Sequence, residues 1–340
     1  MSLDFEDVLI EEFGSFDTSK FNVSFVPHKI FICGGKTDGK KLIPESLRER
    51  IINYFDDNND DIYKACIKAE DFKDYFREGA YSDLLEFEAD IANIATLIII
   101  CLESPGSLVE LGMFCNNPSL SHRLIVIAPQ DKVEAKDSFI YLGPLVNLIG
   151  ADEKSVLVYP WPDPAVQKYD HIELIAADIS KKLEKSRKGE DFDPKNSAHI
   201  AFLIYDIILL AHPIKISEIE LALSAMDIDV KEKTIGRLLY LLDKIGLIKH
   251  TIYSSVNYYY DVADGERRVK FGSTKSGKTR DTPAIKMALR QSYVLQDDES
   301  SKKRKLALQQ INKIKEDKLK EEKLKEEKLK EGKAKGEGAK

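Results

Sequence analysis

Residues 97–117, LIIICLESPGSLVELGMFCNN, join an unbroken apolar run to a Pro/Gly/Ser turn and then to a second apolar pattern beginning Leu108-Val109-Glu110-Leu111. Apolar residues without alternation are the pattern of a strand buried on both faces, which a parallel sheet covered by helices provides. The segment therefore reads as a strand, a turn and the first turn of a helix in an α/β layer. Ligands of such layers bind in the crevice beyond the carboxyl ends of the strands. A small-residue turn placed there offers backbone N–H groups to a phosphate or sugar.

The same alternation continues on either side. Lys29–Cys33 (KIFIC) is a strand ending in Gly34-Gly35, and residues 43–55 are helical. Residues 61–67 are expected to form a second strand, 83–95 a second helix, 97–102 the third strand and 107–115 its helix. RLIVI at 123–127 and SVLVY at 155–159 supply strands four and five, and 163–188 a long closing helix. The expected fold is α/β, a five-stranded parallel Rossmann- or flavodoxin-like sheet over residues 26–190, preceded by a lead-in at 1–25.

After a polar linker at 187–197 the period changes. An apolar helix at 199–210 is followed by a helix from Glu218, with Ser217 placed to cap it, and by a third at 231–245 closed by Gly246. IKHTIYSSVNYYYDV and RRVKF then read as two β-type runs joined by Ala263-Asp264-Gly265. Three helices and a two-stranded ribbon are the plan of a winged helix-turn-helix domain, placed at 197–275. Residues 276–340 are expected to be a charged tail, helical or disordered. Its KLKEE repeat turns Leu319, Leu324 and Leu329 by about 140° each around a helix, so they form no coiled-coil seam.

Charge is divided along the chain. Residues 1–230 hold 23 Lys/Arg against 41 Asp/Glu, whereas residues 231–290 hold 13 against 6. The first part is a poor general surface for a polyanion, and the second is a good local one. No apolar run approaches the ~20 residues of a membrane span, and the acidic start lacks the pattern of a secretory signal. Cys33, Cys66, Cys101 and Cys115 have no zinc-like spacing and read as reduced thiols. A cytoplasmic protein without a membrane partner or metal is expected.

Glu110 is the leading candidate for chemistry. A carboxylate in the first turn of a helix feels the positive end of the helix dipole, which lowers its pKa, while burial raises it. Ionised, it suits a cation-like sugar carbon, the demand of breaking an N-glycosidic bond. It could equally be an ordinary carboxylate at a helix start. Glu88, in LLEFEADIA, is a candidate to bind a ribose hydroxyl or to remain a solvated helix residue. Gly34 and Gly35 allow close approach of a ligand to the backbone. Ser104, Gly106, Ser107 and Asn117 are candidate substrate contacts, their alternative being capping and turn formation. His28 and His122 are isolated and are read as structural or surface residues.

Taken together, FICGG at 31–35, the Glu88 helix, ESPGSLVELGMFCNN at 103–117 and SFIYLGP at 138–144 resemble retron-associated effectors. In these a nucleoside deoxyribosyltransferase-like domain is joined to a winged-helix DNA-binding domain. The resemblance covers residues 25–160 by motif and 195–275 by architecture. It implies a toxic N-glycosidase of an antiphage system, with Glu110 as catalytic carboxylate and Glu88 beside it. It implies no cofactor, with NAD as substrate, hydrolysed at the nicotinamide–ribose bond. The implied partners are a retron reverse transcriptase and its branched multicopy single-stranded DNA with RNA, with self-association into an oligomer or higher assembly. An Asp that transferases often carry before the third strand is absent from Asn93-Ile94-Ala95-Thr96, so base recognition does not carry over.

In the basic part, Lys231, Lys233 and Arg237 lie where a helix-turn-helix reader meets the major groove. Arg267, Arg268 and Lys270 follow the supposed wing turn, and Lys275 and Lys278 lie in the loop beyond it; all are candidate nucleic-acid contacts. Gly272–Thr279 (GSTKSGKT) meets the spacing of a phosphate-binding loop, but a wing precedes it and Pro283 interrupts the helix that should follow. Among Tyr258, Tyr259 and Tyr260, alternation turns at least one inward and leaves another free to stack on a base. Two other functions compete: a nucleotide-sensing transcriptional regulator without turnover, and a metabolic nucleoside deoxyribosyltransferase.

Overall fold

Central strands without alternation need helices on both faces, and that is how the first part of the chain is built. A computed structural model describes residues 4–39, 41–68, 70, 79–134, 136–262 and 265–337, excluding the side chains of 322 and 324–337. The chain divides within a helix into two compact units, Asn22–Ile200 and the remainder on either side.

In the first unit, β2 (Ile30–Cys33), β3 (Cys66–Ile67), β4 (Leu97–Cys101), β5 (Leu124–Pro129) and β6 (Val156–Tyr159) form one sheet in the order β3-β2-β4-β5-β6. Every pairing is parallel, with Ile30 opposite Leu97, Ile98 opposite Leu124 and Val126 opposite Val156. This is the flavodoxin-like order, in which the chain changes direction of winding between β2 and β4. One face is covered by α2 (Leu47–Asn58) and α9 (Ile172–Lys185). Leu47, Ile51 and Phe55 pack there with Ile175, Ile179 and the inward side of β2, β4 and β5. The other face carries α4 (Leu84–Ile94) and α5 (Pro105–Cys115); there Phe31 meets Phe114 edge to face at 6.2 Å. A short ribbon pairs β1 (Asn22–Ser24) with β7 (Gly189–Asp191) antiparallel.

Local chemistry moved three boundaries. The strand expected at 61–67 is mostly helix, α3 (Asp60–Ala65), leaving two residues of strand. Asn59 caps that helix by accepting from Ile62 N–H at 3.1 Å, and Asp60 and Asp61 favour its positive end. The closing helix starts at Ile172 rather than 163. The preceding loop is fixed instead by Arg50, whose guanidinium donates to the carbonyls of Asp163, Val166 and Gln167. Helix α5 begins at Pro105, two residues earlier than the pattern suggested. Pro cannot donate an N–H and is at home in a first helical position.

The second unit contains α1 (Phe5–Gly14), α10 (Ser197–Ala211, through which the division runs), α11 (Ile216–Ala225) and α12 (Glu232–Lys244). An antiparallel hairpin, β8 (Ile248–Tyr253) and β9 (Val256–Asp261), follows. Both hairpin strands come from IKHTIYSSVNYYYDV, which turns at Ser254-Ser255 with left-handed φ of 51° and 63°. RRVKF is therefore not the second strand; it contributes only β10 (Val269–Lys270). Ala263 and Asp264 of the expected wing turn lie outside the described residues.

The region from 276 onward is more than a charged appendage. Helix α13 (Thr282–Val294) buries Ile285, Leu289 and Tyr293, and α14 (Glu299–Glu337) buries Arg304, Ala307 and Ile311 near its start. Tyr293 meets Phe5 of α1 at 5.9 Å, and the buried Arg304 guanidinium stacks on Phe5 at 3.6 Å while pairing with Glu218. An apolar stripe spaced by four residues is thus satisfied inside the unit. No described helix is long and apolar enough to cross a membrane.

Candidate active site at the sheet's carboxyl end

Where winding reverses, the chain leaves β2 through Cys33-Gly34-Gly35 and leaves β4 through Glu103-Ser104. Glu103, which sequence reasoning passed over, ties the two exits together. Its Oε1 accepts from Gly35 N–H at 2.8 Å and Arg48 N–H at 3.1 Å, and its Oε2 accepts from Leu47 N–H at 2.7 Å. The carboxylate so occupies the amides at the start of α2, the position an anion would take. A Cβ at Gly34 would lie 2.8 Å from that Oε1 and 2.9 Å from Arg48 Cβ; one at Gly35 would lie 2.8 Å from Ser46 Cβ. The glycines make room for this packing.

The other predicted substrate contacts also have structural engagements. Ser104 Oγ accepts from Ser107 N–H at 3.1 Å and donates to the Gly34 carbonyl at 3.0 Å. Ser107 is buried and its hydroxyl returns to the Ser104 carbonyl at 2.8 Å. These two form a capping box on α5. Asn117 caps α6 (Pro118–Ser121) by accepting from Ser119 N–H at 3.0 Å. Gly106 is exposed at the start of α5.

The carboxylates lie together behind this loop. Because α5 starts at Pro105, Glu110 stands in its second turn, where the helix dipole has largely faded. Burial raises its pKa, while a hydrogen bond with the Cys33 thiol and the charge of Arg48 pull the other way; the net direction is upward. Glu88, on α4, is pushed up to about 7 by burial, by Glu110 and by Glu70. Two further residues, absent from the sequence reading, complete the cluster. Arg48 is only 3% exposed and grips Glu70 with both Nη atoms, at 3.2 and 2.5 Å. Burial pushes Glu70 up, but the guanidinium outweighs it and holds the carboxyl below its usual range.

One carboxyl that titrates near neutrality beside another carboxylate is the arrangement of an acid/base pair. The signal for Arg48 was weak in sequence, since an Arg on an amphipathic helix is ordinarily solvated. Among the described residues no group of His, Cys, Asp and Glu is arranged to hold a metal ion. Along the outer side of α5, Leu108, Val109, Gly112, Phe139, Ile140 and Pro144 line an apolar groove of about 520 Å³.

The basic candidates of the second unit separate into two groups. Lys231, Lys233, Lys270 and Lys278 are exposed, Arg237 is half-buried, and Lys275 pairs with Asp227 at 3.1 Å. Arg267 and Arg268, expected on the surface, turn inward. Buried Asp206 accepts from Arg267 Nε at 3.3 Å and from the Arg268 and Val269 amides at 2.9 Å each, while the Arg268 side chain is buried over the Phe202 ring. Removing an acid from water requires donors, and these are the donors. GSTKSGKT closes on itself through Thr274 N–H to the Lys278 carbonyl at 2.7 Å, and α13 starts at Thr282, three residues beyond it, with Pro283 in its first turn rather than interrupting it. Tyr258 and Tyr260 are buried; Tyr259 is half-buried and pairs its backbone with Ile214.

The sequence profile of the STM3845 retron effector protein family matches residues 44–250, a span that takes in Arg48, Glu70, Glu88, Glu103 and Glu110. Two Escherichia coli proteins, the retron Ec73 and retron Ec86 putative ribosyltransferase/DNA-binding proteins, are similar to it. The first is 27% identical over 207 residues, 56% of this chain and 64% of its own length. The second is 37% identical over 129 residues, 38% of this chain and 39% of its own. The chain thus matches less than two thirds of the length of either relative. With a profile match across more than half of its residues, the chain belongs to the retron effector family.

Proposed function

We propose that this retron effector cleaves the N-glycosidic bond of a nucleotide, with NAD at its nicotinamide–ribose bond as the foremost substrate. The observation that carries the reading is the pair of buried Glu88 and half-buried Glu110 at the reversal of winding, with Glu88 titrating near 7. The naming of both relatives as putative ribosyltransferases supports chemistry at a ribosyl carbon, and hydrolysis is that chemistry with water as acceptor.

Glu110 serves the oxocarbenium-like carbon as an anionic stabiliser or nucleophile. The Cys33 thiol and Arg48 favour its ionised form and oppose the upward push of burial on its pKa. Glu88 handles the proton. Nicotinamide leaves NAD as a neutral molecule, so the proton to be moved is the one lost by attacking water, and ionised Glu88 takes it. A neutral purine or pyrimidine nucleotide would instead need its leaving base protonated, by neutral Glu88. The pH profile distinguishes them: NAD cleavage rises through about pH 7, and cleavage of a neutral nucleotide falls.

The expected toxicity follows from loss of the nucleotide pool. Restraint by a reverse transcriptase and its branched RNA–DNA belongs to the same proposal. Exposed Lys231 and Lys233, with the DNA-binding description of the relatives, support contact with that nucleic acid. Self-association is supported by apolar side chains near α5, including Leu108, Val109 and Phe139, the last 86% exposed. The test is metabolite profiling of cells expressing the chain or its Glu110→Gln form. Free base and ribosyl product are expected only with the former. Full activity in a folded Glu110→Gln protein rejects the assignment.

A further inference from the structure

The larger cavity of the α/β unit lies at the opposite end of the sheet from the carboxylates. It encloses about 820 Å³. Thr96 and Arg123, which immediately precede β4 and β5, Lys154, two residues before β6, Lys181 and Lys185 in the last turns of α9, and Arg187 just beyond it all line it. Its apolar floor includes Leu157 and Phe25, whose ring is already covered on one side by the Arg123 guanidinium at 4.2 Å.

Charge at this cavity runs against the unit that holds it. Residues 22–200 contain 21 Lys/Arg and 30 Asp/Glu. The cavity is lined by six Lys/Arg and three acids, Asp152, Glu153 and Asp178. Several of the cations are engaged: Lys182 with Asp152 at 2.6 Å, Lys181 with Asp178 at 3.7 Å, and Arg123 with Glu190 at 2.8 Å. Lys154, Lys185 and Arg187 have no ion-pair partner among the described residues. The dipole of α9 favours cations in its last turn and accounts for Lys182 and Lys185. It does not account for Lys154, on a different segment, or for Arg187, beyond the helix.

We infer that this cavity binds a phosphorylated ligand of nucleotide size, its phosphates held by Lys154, Lys185 and Arg187 and its ring against the apolar floor. The volume falls in the range of small-molecule sites. Uncommitted ammonium and guanidinium groups converging on one concavity match phosphate oxygens. The ligand is either a free nucleotide or the terminal nucleotide of a strand. This inference is independent of the chemistry assigned to Glu110, because binding is read without turnover.

The experiment uses the full chain carrying Glu110→Gln, titrated with adenosine triphosphate, inorganic tripolyphosphate and a 5′-phosphorylated oligothymidylate. Lys231→Gln/Lys233→Gln in the same background removes two of the expected nucleic-acid contacts of the other unit. A further Lys154→Gln/Lys185→Gln/Arg187→Gln change is expected to weaken binding by about tenfold or more, as loss of charge-assisted bonds does. Loss with adenosine triphosphate identifies a free nucleotide as the source; loss with the oligonucleotide alone identifies a strand terminus. An azido-adenosine triphosphate crosslink to peptides spanning 152–157 or 181–187 is the second expected readout and needs no change at the cavity. Three outcomes overturn the inference: no binding of any probe, unchanged binding after the triple change with crosslinks elsewhere, or occupation by a polyglutamate peptide that phosphates do not displace.

Discussion

The two ends of the parallel sheet solve opposite electrostatic problems. At the carboxyl end, acids cluster, and three are held by specific donors: Glu103 by three backbone amides, Glu70 by the buried Arg48 and Glu110 by Cys33. At the amino end, cations surround an open volume, and three of them have no ion-pair partner among the described residues. Satisfied charges fix a geometry, whereas unsatisfied ones await a ligand. The carboxyl end is the proposed reaction centre, whose geometry should resist change, and the amino end the proposed receptor, which should tolerate it.

Substitutions test that contrast. The largest expected effect is that of Glu110→Gln, which should lower base release from NAD by about 10⁴-fold or more, measured by chromatography of nicotinamide. Loss of less than tenfold in a folded protein would remove Glu110 from the centre.

Glu88→Gln should next affect stability in a pH-dependent way. The folded pKa of about 7 lies above the ordinary carboxylate value of 4.5, so the folded state holds this proton more tightly than the unfolded chain. No cost exists below about pH 4.5; it grows as pH rises and is complete above about 7. The Gln variant should thus gain up to about 3 kcal/mol at pH 8 and nothing at pH 4.5, measured by urea unfolding at both values. A gain independent of pH would contradict the burial of a charge at this position.

Gly34→Ala should cost about 1–3 kcal/mol, since its new methyl must displace Glu103 or Arg48. Thermal unfolding measures this, and an unchanged midpoint would mean that the Glu103 bridge is dispensable. Cys33→Ala removes a bond that lowers the Glu110 pKa, so the acid limb of the activity profile should move to higher pH by about one unit or less. At the other end, Lys185→Gln should change stability by less than about 0.5 kcal/mol. A larger loss there would make the amino end structural and erase the contrast.

Much of the α/β unit was legible because burial on both faces leaves no polar residue inside LIIIC, IFIC or LIVIA, and helices must cover such strands. The succession of three helices up to Gly246 was also legible. The hairpin was misplaced because Ser254-Ser255 adopt left-handed φ without glycine, and a turn of that kind carries little sequence signal. Arg267 and Arg268 misled for a related reason: charge marks a residue as polar but does not say whether an acid such as Asp206 waits inside. The same ambiguity concealed Arg48 and Glu70.

By itself, then, the sequence determined the buried strands, the alternation with helices and the presence of an acid on the helix after β4, because these depend on local hydrophobic pattern and turn chemistry. Tertiary structure alone decided that Glu110 stands in the second helical turn, that Glu88 titrates near 7, that Glu103 fills the amides of the glycine turn, and that six cations meet at the other end. Those properties arise from groups far apart in the chain, and electrostatic energy depends on distance and burial in space, which no spacing along the chain encodes.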